Sequence, residues 1–182
     1  NTSVDGSLLN ILDGNTTGII NASSVSTLEG NTSALVNIYA STEISGLGNE
    51  AVTLSDTSVA ASVLNTLDGN TTGAVNAATI TALSGTAATA NTAYASGGIS
   101  GLGNEAVTLS DTELATTVLN TLDGNTTGAV NAATVTTLTG TAAAANTAYA
   151  SSGITGLGNE AVTLSDTSLA TTVLNTLDGN TT

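Results

Sequence analysis

The sequence predicts an α/β fold: a tandem-repeat solenoid of parallel strands and short helices, with a 55-residue period that supplies two strand–helix units. Three observations predict it. The phrase LNTLDGNTTG at Leu64–Gly73 recurs letter for letter at Leu119–Gly128, with one change at Leu9–Gly18, and begins again at Leu174. The spacing admits no insertion, since Asp13, Asp68, Asp123 and Asp178 are evenly spaced by one period, as are Tyr39, Tyr94 and Tyr149. Hydrophobic residues make up 40% of the chain and are mostly Ala, Val, Leu and Ile, which suit narrow spaces between stacked layers. Constant length points to units that stack on one another. A β-rich fibre or a β-helix is the alternative architecture.

The organisation follows the period. Residues 1–49 are a diverged partial repeat, 50–104 and 105–159 are full repeats, and 160–182 are a partial one. The two full repeats differ at ten of 55 positions, so 45 are identical, which flexible linkers between separate beads would not require. The window opens at Asn1 and stops inside the recurring phrase, and the expectation is one continuous array cut from a longer chain.

Each repeat reads as strand, helix, strand, helix. Ala51–Leu54 is a short apolar run. Ser55-Asp56-Thr57 offers cap side chains for a helix whose face holds Val59, Val63, Leu64 and Leu67, with Gly69 as the stop. Gly69 and its counterpart Gly124 are expected at positive φ. Asp68, Gly69 and Asn70 then turn the chain into a second strand, Val75 to Thr81. A second helix is expected from about Thr86 to Ser96, capped by Ser84 and ended by Gly97-Gly98. The first copy supports this reading, because Leu35, Ile38 and Ile19 replace Ala90, Ala93 and Ala74, changing size but not polarity. Tyr94 and its counterparts are expected to pack inward with the hydroxyl near the rim.

Composition removes several functions. Eight Asp and six Glu stand against no Lys, Arg or His, for a formal charge of −14. Nucleic acid is excluded as a partner, because phosphate binding needs basic side chains, and an anionic membrane surface is excluded for the same reason. No apolar run approaches the ~20 residues of a membrane span. With no Cys, no disulfide or thiolate metal site can form. A large secreted protein that avoids Cys, Met and Trp would have this composition, so an extracellular, cell-surface location is expected. Without His, Cys, Lys or Arg, a Ser or Thr nucleophile lacks an ordinary base, and the acids recur in every copy as architecture does; the chain reads as no enzyme.

GISGLGNEAVTLSDT (Gly98–Thr112), VLNTLDGNTTG and TLTGTAAAANTAYAS (Thr137–Ser151) together resemble the tandem repeats of very large cell-surface proteins of marine cyanobacteria and other aquatic bacteria. That resemblance spans the chain and implies a surface-layer, adhesion or motility-associated component with no assigned chemistry. The phrase carried by Leu64, Asn65, Leu67, Asp68, Gly69 and Thr71 is also similar to the LNxLDGxT phrase of phage tail-fibre shafts.

Candidate sites are few. Asp68 and Asn70, with Asp123 and Asn125, offer hard oxygen ligands in Gly-rich turns, as does Asn49-Glu50, so Ca²⁺ is the one cofactor the sequence allows. The spacing is not that of an EF-hand or a nonapeptide calcium repeat, and turn and cap duty is the simpler account. Thr79/Thr81 and Thr134/Thr136 suggest an ice-binding face, for which Thr on the solvent side of a strand is the simpler account. Sequons at Asn1, Asn15, Asn21, Asn31, Asn70, Asn125 and Asn180 are formal glycan acceptors. The expected function is structural: an extracellular repeat array forming a fibre, surface layer or adhesive stalk, self-associating, with a glycan or surface partner possible elsewhere. A homotrimeric phage tail-fibre shaft and a calcium- or glycan-binding module are the alternatives.

Overall fold

A computed structural model describes residues 2–181. Among the described residues the fold is α/β, with seven short helices alternating with strands, and the strands pair in parallel. The chain forms two compact units. The first runs to Thr81 and adds Ala93–Leu102; the second holds Ala82–Thr92 and Gly103 onward.

The first unit contains β1 (Ser3–Asp5), α1 (Gly6–Gly14), β2 (Ile20–Asn21), β3 (Thr27–Gly30), α2 (Thr32–Ala40), β4 (Ile44–Ser45), β5 (Ala51–Leu54), β6 (Ser58–Ala60), α3 (Ala61–Asn70) and β7 (Val75–Asn76). Next in the chain come β8 (Ala82–Gly85) of the second unit, α4 (Ala87–Ala95), whose residues fall in both, and β9 (Ile99–Ser100) of the first. The rest of the second unit is β10 (Ala106–Leu109), β11 (Glu113–Ala115), α5 (Thr116–Asn125), β12 (Val130–Asn131), β13 (Thr137–Gly140), α6 (Ala142–Ala150), β14 (Ile154–Thr155), β15 (Ala161–Leu164) and α7 (Thr171–Asp178).

In the first unit the main sheet runs β1-β3-β5-β7-β9, and β2 pairs with β4. In the second, β8, β10, β12 and β14 are consecutive in one sheet, and β11-β13-β15 form another. The register is nearly constant. Ser3 lies opposite Thr27, Thr27 opposite Ala51 and Val75 opposite Ile99, all by the same step along the chain, while Val52 meets Val75 one position sooner. The second unit repeats these offsets at Ala82/Ala106, Val107/Val130 and Thr137/Ala161. Two such steps fall short of one sequence repeat. A further short strand, β6 between β5 and β7 or β11 between β10 and β12, lies within a step, so Glu50–Asn104 carries five strands and two helices rather than two strand–helix units.

Local chemistry explains the elements. AVTL alternates, so Val52 and Leu54 point into the first core while Val107 and Leu109 do the same in the second. Asn31 and Thr141 cap α2 and α6, each side chain accepting from the backbone N–H three residues on, at Ala34 (2.8 Å) and Ala144 (3.2 Å). On α5 the inner face is Thr116, Leu119 and Leu122, and on α6 it is Ala142, Ala145 and Ala148, all buried. A larger residue on one helix is partly offset by a smaller one on its neighbour. Where α2 carries Leu35 and Ile38, the facing residue of α1 is Gly6, and a Cβ there would lie 3.1 Å from Ile38 Cδ1. The corresponding residues in the second unit are Ala145, Ala148 and Thr116.

Several expectations about local structure change. Residues 58–60 are a strand, so the first helix starts at Ala61, and its N-cap Ala60 makes no side-chain cap bond. Asp56 is a cap, but of the preceding helix: its Oδ2 accepts from the Thr32 N–H at the start of α2 (2.7 Å). Asp111 and Asp166 do the same for Ala87 and Ala142, both at 2.8 Å. The stretch expected as one strand from Val75 to Thr81 is β7, a turn, and then β8 from Ala82; Ser84 lies in that strand and caps nothing. Gly69 and Gly124 are inside α3 and α5 and neither has positive φ.

The new place of the acidic caps has a measurable consequence. Replacing Asp166 with Ala removes the bond to the first N–H of α6, and the unfolding free energy should fall by about 1 kcal/mol. A neutral result in chemical denaturation would mean that water replaces the cap.

Candidate functional site

The recurring phrase is where the polar groups of each unit gather. Thr71 Oγ1 donates to the Glu50 carbonyl (2.6 Å) and accepts from the Gly73 N–H (3.0 Å), while the Thr72 N–H donates to the Gly48 carbonyl (2.9 Å). Thr126, Gly128 and Thr127 repeat this against Glu105 and Gly103 in the second unit. The phrase therefore ties one turn of chain to the loop that precedes β5 or β10.

The four candidate metal ligands sit as follows. Asp68, near the end of α3, accepts from Ser96 Oγ through Oδ2 (2.7 Å), and its Oδ1 lies against Gly98, where a Cβ would clash. Asp123 stands in the same relation to Ser151 (2.6 Å) and Gly153. Asn125 Nδ2 donates to Asn91 Oδ1 (2.9 Å). Asn70 ends α3, and Val36 occupies the position that corresponds to Asn91, so that amide pair has no counterpart there. Ca²⁺ takes 6–8 oxygens. Among the described residues no group of three or more acidic side chains comes together. Asp68, Asp123 and Asn125 serve as ties between turns of the chain.

Thr79 and Thr134 are used in the same way. Each hydroxyl donates to two carbonyls, Leu54 and Asp56 or Leu109 and Asp111, at 2.9–3.0 Å. Thr81 and Thr136 donate to the carbonyls of Thr57 and Thr112.

What sequence reasoning does not anticipate is that the carboxylate before β5, β10 and β15 is buried. Glu50, Glu105 and Glu160 are 1%, 0% and 4% exposed in a chain with no cation. Glu50 accepts from the Tyr39 hydroxyl (2.5 Å), the Gly48 N–H (2.9 Å) and the Asn49 N–H (3.1 Å). Glu160 accepts from the Tyr149 hydroxyl (3.0 Å) and the Gly158 N–H (2.8 Å). Charge-assisted bonds from neutral donors thus replace the missing ion pair. A signal existed: Tyr and Glu keep a constant spacing in every copy, at 39/50, 94/105 and 149/160.

Burial, then the hydrogen bond to the carboxylate, then its negative charge, push the Tyr39 and Tyr149 hydroxyls well above the ordinary value of 10.0. The folded state holds these protons more tightly than the unfolded state does. The resulting stability is fully present below pH 10.0 and declines as pH rises above it, where only the unfolded chain ionises. Urea midpoints should hold steady up to pH 10.0 and then fall. The double substitution Tyr39→Phe, Tyr149→Phe should blunt that fall, and an unchanged fall would sink the assignment.

Comparison with protein-family models, with curated proteins and with solved structures finds no match. Among the described residues no helix is long and apolar enough to cross a membrane.

Proposed function

We propose that the chain is a non-catalytic structural segment of an extracellular repeat array, a solenoid that lends length to a fibre, surface layer or adhesive stalk. The observation that carries this reading is where the polar side chains are spent. Hydroxyls, carboxylates and amides of each motif bond to the neighbouring turn of chain, and the same bonds recur copy after copy. A catalytic centre gathers unlike groups at one place, whereas these repeat as ties between layers. The charge of −14 with no cation, and the lack of Cys, Met and Trp, favour a location outside the cell and a surface that keeps arrays soluble.

Proteins of one, two and three repeats test the proposal. Stacking interfaces carry the apolar burial, so denaturation midpoints should rise with repeat number. Equal midpoints would mean independent beads and remove the solenoid.

A further inference from the structure

One small turn is built three times in the chain. Asn21 ends β2, Asn76 ends β7 and Asn131 ends β12. In each case the Asn Oδ1 accepts from the N–H two residues on, at Ser23, Ala78 and Ala133, all at 3.0 Å. The middle residue, Ala22, Ala77 or Ala132, is buried, while the residues on either side of it are exposed. Gly46, Gly101 and Gly156 back the turn at positive φ, so near that a Cβ would lie 2.7–2.8 Å from the backbone nitrogen of residue 23, 78 or 133. Exposure of the Asn belongs to the turn itself. Asn76 is flanked in its sheet by Thr53 and Ser100, and Asn131 by Thr108 and Thr155, yet both stay exposed with a strand on each side.

Within that tripeptide the first copy departs at one position. Ser23 stands where the others have Ala78 and Ala133, which makes Asn21-Ala22-Ser23 a sequon and leaves Asn76 and Asn131 without one. Other sequons are placed differently. In the recurring phrase the sequon Asn closes a helix: Asn15 is the C-cap of α1, and Asn70 and Asn125 are the last residues of α3 and α5. Asn70 and Asn125 are half-buried, and Asn125 Nδ2 is taken by Asn91 Oδ1. Asn31-Thr32-Ser33 runs into α2, with Thr32 buried. At Asn21 the bonded atom is Oδ1, and Nδ2, on an exposed side chain, donates to no group among the described residues. A donor on a carboxamide oxygen draws electron density from its nitrogen, which eases loss of an N–H proton.

From these features we infer that Asn21 is an N-glycosylation acceptor, which takes an oligosaccharide from a polyprenyl-diphosphate donor through an oligosaccharyltransferase. Asn21 Nδ2 attacks the anomeric carbon of the donor sugar. The new carbon–nitrogen bond forms as the bond from that carbon to the diphosphate oxygen breaks; the diphosphate leaves with the electron pair, and Nδ2 gives up one proton to a base of the transferase. The inference rests on the extracellular reading of the chain, since such donors serve exported proteins. Selectivity comes from the fold: the turn offers Asn and Ser together in the open, whereas a sequon at a helix end must first unwind.

The test uses the full chain, a purified oligosaccharyltransferase that reads Asn-x-Ser/Thr, and a polyprenyl-diphosphate oligosaccharide. Products are followed by intact mass and by sequencing of glycopeptides cut at Asp and Glu, since the chain has no Lys or Arg for trypsin. Asn21 should be modified at least about tenfold faster than Asn125, equal to roughly 1.4 kcal/mol for opening the helix end. Ser23→Ala should abolish the modification while the variant melts like the parent, because Ala fills that place in the other two turns. Ala78→Ser and Ala133→Ser should each add one glycan mass, at Asn76 and at Asn131. An unmodified Asn21, equal rates at Asn21 and Asn125 in the folded chain, or no gain from either Ala→Ser change overturns the assignment. The assay needs neither stacking nor location. Transfer to Asn21 with midpoints that ignore repeat number removes the array and leaves the acceptor, and the reverse result removes the acceptor alone.

Discussion

Glu50→Leu should lower the unfolding free energy by about 3 kcal/mol, measured as a shift in urea midpoint at constant slope. The carboxylate is buried at 1% exposure and satisfies the Tyr39 hydroxyl and the N–H groups of Gly48 and Asn49. Removing it strands three donors in a site closed to water, and each unsatisfied donor costs about 1–3 kcal/mol. Some of that loss is offset by the apolar side chain, which is why the expectation sits well below three times the upper value. Tyr39→Phe deletes a single donor and should cost about 1 kcal/mol. A loss below about 1 kcal/mol for Glu50→Leu would show that the loop relaxes to let water in.

Gly73→Ala should destabilise by about 3 kcal/mol or more, on the order of the largest overpacking losses. A Cβ on Gly73 would collide with the Glu50 carbonyl oxygen and carbon and lie 2.8 Å from the Ala51 nitrogen. Those are backbone atoms of a buried residue and of the strand that follows, so no rotamer change can make room. The same backbone contact recurs between Gly128 and Glu105. Gly69→Ala, earlier in the same phrase, sits inside α3 with nothing within 4 Å of the added carbon. It should stabilise by about 0.5–1 kcal/mol, because glycine loses more backbone freedom than alanine in a helix. Opposite signs at 69 and 73 in parallel melts are the expected result. Equal effects would mean that the two turns of chain do not approach so closely in solution.

The contrast marks where sequence reasoning stops. LNTLDGNTTG reads as a helix end and a turn, and Gly69 looks like its stop because glycine so often ends helices. The glycine under packing constraint is Gly73, and nothing local distinguishes it, because the atoms it must clear belong to Glu50 and Ala51, a full turn of chain earlier. Asp56 shows the same limit: its cap chemistry is legible, but the helix it caps begins well back in the chain, at Thr32. Val59, Val63, Leu64 and Leu67 fit one helical face on paper. In the fold Val59 belongs to β6, and a short apolar run cannot be divided between strand and helix by periodicity alone. Asn49-Glu50 offers oxygen donors, which suggested a cation site; burial under Tyr39 makes Glu50 an acceptor for neutral donors.

The sequence by itself determined the α/β class, the strand character of AVTL, the existence of a helix at each LNTL and each TAYA, and the lack of any cation to pair with 14 acids. Those follow from propensity, capping chemistry and charge, which act over a few residues or over the whole composition. Only the tertiary structure decided the register between strands, the extra strands β6 and β11, and the burial of Glu50. Those depend on which turn of chain lies beside which. That pairing is set by ladder hydrogen bonds and side-chain volumes summed across layers, and no short window of sequence contains both partners.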